Sequence, residues 1–284
     1  MKRVKFVFRL LPLATIILLA SCNKDALSGE MEEITDVLMM QKSAEEAEKD
    51  PDALTLKCQG CQPEEMRAQL DDCAVITDSG DGVFPRTITI DYGTEGCGTD
   101  DKHLKKGKII VRISADMALA GAVRTVTFEN FFVGEREMSG SRTLTNASTE
   151  VNSQPVFNYE DNIVMTHDGK SRTKTASGTR TWIAGFESRE DRTDDKFETT
   201  GSSTMSCRDN KTVTRTIIEP IVFDASCGHP ISGVEQMTDP KGKKHTLDFG
   251  DGTCDNEATV THENGETETV DLDEMRMHKR PGRR

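Results

Sequence analysis

Eight cysteines in 284 residues are the first candidates for chemistry. Cys58-Gln-Gly-Cys61 has the dithiol spacing of thioredoxin-like motifs, in which a helix start lowers the thiol pKa, and Pro63 can open a helix two residues later. The motif lies in an acidic stretch with no strand pattern ahead of it and no βαβ unit around it, so Cys58 and Cys61 are read as a local structural pair. Adding Cys73 gives C-x-x-C-x11-C, which lacks a fourth ligand at zinc-site spacing. The string Asp248-Phe-Gly-Asp251-Gly-Thr-Cys-Asp255 is rich in oxygen donors, and Asp248, Asp251 and Asp255 are candidate ligands of a calcium loop. It lacks the alternate-position ligands and terminal bidentate Glu of an EF-hand, and Asp and Gly are what a tight turn requires, so it is assigned to turn geometry and no metal is expected.

Other catalytic constellations are missing. His103, His167, His229, His245, His262 and His278 fall singly in the sequence, with no H-x-x-x-H or H-E-x-x-H arrangement. There is no G-x-S-x-G elbow, and no P-loop or G-x-G-x-x-G follows a strand. Glu160 and Asp161 are adjacent, so a strand would point them to opposite faces. These absences predict a protein that is not an enzyme and carries no cofactor. Trp182, the one tryptophan, is read as core rather than contact surface.

The elements that would position these residues begin with a targeting segment. Met1 to Arg9 is basic, Leu10 to Ala20 is apolar, and Leu19-Ala20-Ser21-Cys22 follows at once, the layout of a secretory signal over residues 1–21. Eleven apolar residues are too few to span a bilayer as a helix. The L-A-S-C tetrad looks like the lipobox of bacterial lipoproteins, which implies that Cys22 becomes the acylated first residue of the exported chain, carrying lipid such as palmitate. Each buried methylene of such an anchor contributes roughly 0.8 kcal/mol.

The whole chain has a formal charge of −13, and the signal segment carries bases and no acid, so the exported chain is more acidic still. Nucleic acid is therefore not an expected partner; the membrane, through the N-terminal lipid, and an unknown protein or glycan are. Residues 22–72 are read as an acidic, helical or disordered stalk, with Met31, Ile34, Val37 and Leu38 at helical spacing, Pro51 closing that helix, and a second short helix at Pro63 to Leu70. Residues 276–284 form a basic tail that reads as a frayed end.

From Arg86 onward the hydrophobic period changes to two. Ile88 and Ile90, then Ile109, Val111 and Ile113, then Val126 and Phe128, then Phe157 and Tyr159 alternate with other residues, as half-buried strands do. Thr173, Thr175, Ser177, Thr179 and Thr181 share one face of a strand whose other face holds Arg172, Lys174, Ala176, Gly178, Arg180 and Trp182. Asp168-Gly169 and Asn264-Gly265 are hairpin turns, Asp209-Asn210 and Pro240-Lys241-Gly242 weaker ones. Residues 73–275 should fold as an all-β antiparallel meander of about a dozen strands, forming a sandwich, a twisted sheet or an open barrel.

An internal repeat adds covalent detail. Thr89-Ile90-Asp91-Tyr92-Gly93 with Cys97 matches Thr246-Leu247-Asp248-Phe249-Gly250 with Cys254, and Cys73 and Cys227 stand 24 and 27 residues before the second Cys. Two related hairpins, near 73–113 and 227–272, closed by Cys73–Cys97 and Cys227–Cys254 disulfides, are expected in an exported protein. Cys207 is then left odd, either buried or paired with a stalk cysteine. The T-[IL]-D-[YF]-G-x-x-x-C repeat, the SG-x-RT pattern at Ser139 to Thr143 and Ser177 to Thr181, and the lipobox together resemble a family of uncharacterised lipoproteins from Bacteroidota, over most of residues 73–272. The resemblance implies an outer-membrane lipoprotein, on the periplasmic or the cell-surface face, and no activity. Acids directly after the lipidated Cys favour surface export in such bacteria, and Asn23-Lys24-Asp25 offers one. The function expected from the whole is a lipid-anchored envelope or surface protein with a binding or structural role. The alternatives are a carrier of lipid or another hydrophobic ligand with an open-barrel sheet and, behind it, a hydrolase of envelope polymers.

Overall fold

The computed structural model describes the chain apart from residues 1–22, 58–64, 66–69, 71–72, 81–82, 99–103, 150–153, 189–190, 192, 207–210 and 273–284. Cys22, Cys58, Cys61, Cys207, the Asp209-Asn210 turn, most of the Pro63 to Leu70 helix and the basic tail thus lie outside the described residues.

One helix, α1 (Asn23–Asp52), and a π-helical turn (Ala53–Lys57) precede thirteen strands. These are β1 (Val75–Asp78), β2 (Arg86–Asp91), β3 (Lys105–Ile113), β4 (Val123–Val133), β5 (Arg136–Asn146), β6 (Val156–His167), β7 (Lys170–Ala184), β8 (Lys196–Ser206), β9 (Thr212–Asp224), β10 (Pro230–Thr238), β11 (Lys244–Asp251), β12 (Glu257–Thr261) and β13 (Thr267–Asp271). They form a single antiparallel sheet in strict sequence order, β1 to β13, which does not close on itself. Of the three architectures open to the sequence, the structure is thus the twisted, curled sheet, an all-β meander.

The period-two pattern sets which face turns inward. Ile88, Ile90, Ile109, Val111, Val126, Phe131, Met138, Leu144, Phe157 and Ile163 are buried on the inner face. In β7 the inner face is the one bearing Lys174 and Trp182, both buried, while Thr173 and Thr175 are exposed. Register carries the hydroxyls into rows across the outer face: Thr125 pairs with Thr143, Ser177 with Ser202, Ser202 with Thr216 and Thr246 with Thr261. Tyr159 needs space on the inner face, and Gly178 and Gly201 supply it. A Cβ on either would stand 2.7 or 2.9 Å from the Tyr159 hydroxyl, which donates to the Thr200 carbonyl at 3.2 Å.

The acidic segment is not a solvated stalk. Ile34, Val37, Met40, Ala44 and Ala47 of α1, with Leu54 and Leu56 beyond it, belong to the same hydrophobic cluster as the inner strand residues. The sheet curls round this helix, and the apolar stripe that looked marginal in isolation is its buried face. Nor does Pro51 end the helix. The chain continues through Asp52 into the π-helical turn, where the Thr55 hydroxyl donates to the Pro51 carbonyl at 2.7 Å.

Both expected disulfides form, Cys73–Cys97 and Cys227–Cys254, with Cα atoms 5.6 and 5.7 Å apart. The two repeat copies share their local geometry. Asp91 accepts from the Gly93 amide and Asp248 from the Gly250 amide, each at 2.9 Å, with φ of 71° and 92° at the glycines, a left-handed turn that a side chain would strain. Tyr92 and Phe249 are buried in both. Replacing Cys227 and Cys254 by Ser should lower unfolding stability by roughly 3 kcal/mol on the chain-entropy account, measured by urea titration. Peptide mapping under non-reducing conditions should return the same two pairs, and any other pairing of these four cysteines would overturn the assignment.

Candidate functional site

Six basic side chains project from the inner face toward α1: Lys105, Arg124, Arg142, Lys174, Arg180 and Arg215. Among the described residues the sheet itself pairs Asp161 with Arg142 and Lys174, and Glu235 with Arg215. The other carboxylate partners come from the helix. Arg124, among the most buried side chains in the chain, donates to Glu48 and Asp52 at 2.6 Å and to the Thr55 hydroxyl at 2.9 Å. Arg180 reaches the other oxygen of Asp52 at 2.7 Å while its guanidinium lies 3.6 Å above the centroid of Phe197. Lys105 and the Tyr92 hydroxyl both donate to one oxygen of Asp50, at 2.5 and 2.6 Å. Arg142 stands 3.1 Å from Asp161 and 4.0 Å from Glu48. Lys174 pairs with the second Asp161 oxygen at 3.1 Å, and Arg215 pairs with Glu235.

The titration of these groups follows from burial against pairing. Burial would raise Asp52, but Arg180 and Arg124 outweigh it and hold its carboxyl well below the ordinary range. Asp161 is lowered in the same way, burial being overcome by Arg142 and Lys174. For Glu48 and Glu235 burial wins over the neighbouring arginines and the carboxyl is raised. Burial lowers Lys174. Charges taken out of water in this manner cost several kcal/mol each unless paired, so the network is stable only as a whole. Its chemistry is that of an interlock: Glu48, Asp50 and Asp52 of α1 are each held by donors from the sheet.

Sequence reasoning put Arg172, Lys174, Arg180 and Trp182 on one face without asking what would neutralise them. The same SG-x-RT pattern delivers Arg142 and Arg180 to the inner face two residues after Gly140 and Gly178. Glu46, Glu48, Asp50 and Asp52, within the segment read as an acidic stalk, are the partners. Trp182 is core, stacked 5.3 Å from Phe197, its indole N–H donating to Asp195 at 3.1 Å. Glu160 and Asp161 point to opposite faces, one exposed and one buried.

The histidines are not all solitary. His245 and His262 are buried neighbours whose Nδ1 atoms lie 3.0 Å apart, with Asp239 and Glu268 carboxylates at 3.9 and 3.8 Å from their Nε2 atoms. Seventeen residues separate them in sequence, and the β11 to β12 register, Thr246 against Thr261, brings them face to face. That register was the signal available. In the Asp248 to Asp255 string each carboxylate caps its own turn: Asp251 takes the Thr253 amide and hydroxyl at 3.1 and 2.7 Å, and Asp255 the Glu257 amide at 3.2 Å. Among the described residues no group of three or more His, Cys, Asp or Glu is arranged to hold a metal.

No family model, curated protein or solved structure matches this chain. Function therefore rests on the geometry and the sequence motifs.

Two outcomes test the interlock. Arg124→Met should cost about 3–5 kcal/mol, the penalty of leaving buried carboxylates without their partner, read from urea unfolding. For pH, Asp52 and Asp161 are lower when folded than when unfolded, so the unfolded chain binds more protons as acid is added. Their contribution is complete above the unfolded carboxylate value, about 4, and is lost progressively as pH falls through and below it. Glu48 and Glu235, raised on folding, act with the opposite sign. Asp161→Asn should flatten the acid limb of a stability-against-pH curve, and an unchanged limb would remove Asp161 from the account.

Proposed function

We propose that this chain is an exported, lipid-anchored envelope protein with a binding or structural role and no catalytic one. Its support is the placement of the L-A-S-C motif: Cys22 directly precedes α1, and α1 is the element whose carboxylates lock into the sheet. An acyl group at Cys22 would therefore hold the folded domain itself rather than a loose tether. The motifs that resemble those of Bacteroidota lipoproteins support an outer-membrane location for the anchor. The outer sheet face, with its rows of Thr and Ser, is the surface that a protein or glycan partner would meet, through hydroxyl hydrogen bonds.

The carrier alternative loses support because α1 covers the apolar inner face that a ligand would occupy. No helix among the described residues is long and apolar enough to cross a membrane. The anchor is tested by fractionation: wild-type protein should partition with membranes and into detergent, and Cys22→Ala should move to the soluble fraction. Unchanged partitioning of the variant would overturn the reading.

A further inference from the structure

We propose that His245 and His262 form a one-proton latch that fastens the β12–β13 hairpin to β11 and releases it when a second proton arrives. No step of this inference uses the anchor at Cys22.

The two imidazoles close the last margin of the sheet. β11 and β12 share three paired positions, Thr246 with Thr261, Leu247 with Val260 and Asp248 with Thr259. His245 and His262 extend that ladder by one step on the inner face, and with 1% and 3% of their surface exposed the contact is closed to solvent. Their Nδ1 atoms stand 3.0 Å apart and their ring centroids 5.1 Å apart. That centroid distance is nearly the nitrogen separation plus two ring radii, so the rings meet head-on. Two ligands of one metal ion would instead slant toward a third point. The contact is therefore an N–H···N bond, in which one Nδ1 donates and the other accepts.

The number of protons it can hold follows from that geometry. Both Nε2 atoms can carry hydrogen, facing the Asp239 and Glu268 carboxylates at 3.9 and 3.8 Å, but only one hydrogen fits between the two Nδ1 atoms. The closed latch thus holds at most three protons on four nitrogens. A fourth would set N–H against N–H and one buried cation against another. Once the rings part and reach water, they hold four. Acid therefore favours the open form, by about tenfold for each pH unit below the ordinary histidine value of about 6.5.

The surrounding charges leave that count in place. Asp239 caps its own turn, accepting the Lys241 and Lys243 amides at 2.8 Å each. Lys243 and Lys244 flank His245 in sequence, and Glu263 and Glu266 lie exposed in the β12 to β13 turn. Across β10, Met237 faces His245 and Arg215 of β9 faces Met237. Arg215 is paired with Glu235, on which Glu45 of α1 also acts. The α1 acids from Glu46 to Asp52 pair with β3, β4, β5 and β7. Opening would free the last two strands and not the whole sheet, because Cys227–Cys254 still ties the β9 to β10 turn to the β11 to β12 turn. The margin so uncovered carries Leu247, Val260 and Val270, all buried when the latch is closed.

Amide hydrogen exchange of the full-length protein, read by mass spectrometry and corrected for the intrinsic pH dependence of exchange, tests the latch. Between about pH 6 and pH 5, residues 257–271 should gain roughly tenfold in exchange while β3 to β7 gain far less. His262→Gln supplies an amide oxygen that accepts from a charged His245, so in that variant the gain should fall below about twofold. No gain in the wild type, an equal gain throughout the sheet, or the full gain in His262→Gln overturns the proposal. Nitrogen-15 spectra of the wild-type rings at about pH 5.5 give a second reading that needs no variant. The closed protein should show three protonated nitrogens across the two rings, and four would overturn the latch.

Discussion

A charge buried without its partner is the constraint on which this structure depends. The inner face of the sheet presents more bases than acids, and a curled sheet that turned those bases inward with nothing to meet them would not fold. α1 resolves the imbalance with Glu46, Glu48, Asp50 and Asp52, spaced two apart so that successive carboxylates fan to different sides of the helix and reach β3, β4, β5 and β7. Helix and sheet are thus one cooperative unit. The hydrophobic stripe from Ile34 to Leu56 places the helix in the lumen, and the ion pairs fix its depth and rotation, because a shift of one residue would separate several donors and acceptors at once.

The strands were legible because a half-buried sheet writes its two faces into alternate residues, and β2, β3, β4, β6 and β7 all fall where the period changes. What period could not convey was how a single meander of thirteen strands curls, since sandwich, twisted sheet and open barrel share the same local pattern. The helix was misread for a different reason. Its mean composition is acidic and its apolar stripe narrow, which in isolation describes a solvated stalk. The decisive fact, that Arg142, Lys174 and Arg180 sit on the same face as buried Tyr159, Ile163 and Trp182, was present in the strand pattern but needed the question of where those charges find partners. The His245 to His262 contact likewise follows from a hairpin register that short-range motif reading does not consider.

The repeated Asp-aromatic-Gly hairpins gain a meaning that spacing alone did not give. β2 and β11 run in opposite directions in the meander, so the two copies lie near opposite ends of the sheet: Cys97 in the β2 to β3 turn, Cys254 in the β11 to β12 turn. Each disulfide closes the sheet near one of its two edges, where strands have fewer partners and fray first. The edge strands β1 and β13 are also among the shortest. Covalent closure near both margins, ion pairing in the centre and short edges outside describe a sheet built to stay curled without closing into a barrel.

That rigidity bears on what the proposed lipid anchor at Cys22 would hold. A domain on a flexible linker samples all orientations and presents every surface to its surroundings in turn. The element that follows Cys22 is the same helix that the sheet grips, so a lipid at Cys22, as proposed, would hold the folded domain through that helix. An exposed face held at a fixed angle loses less orientational freedom when a neighbouring envelope component docks against it, which lowers the entropic cost of association without any change in the contacts made.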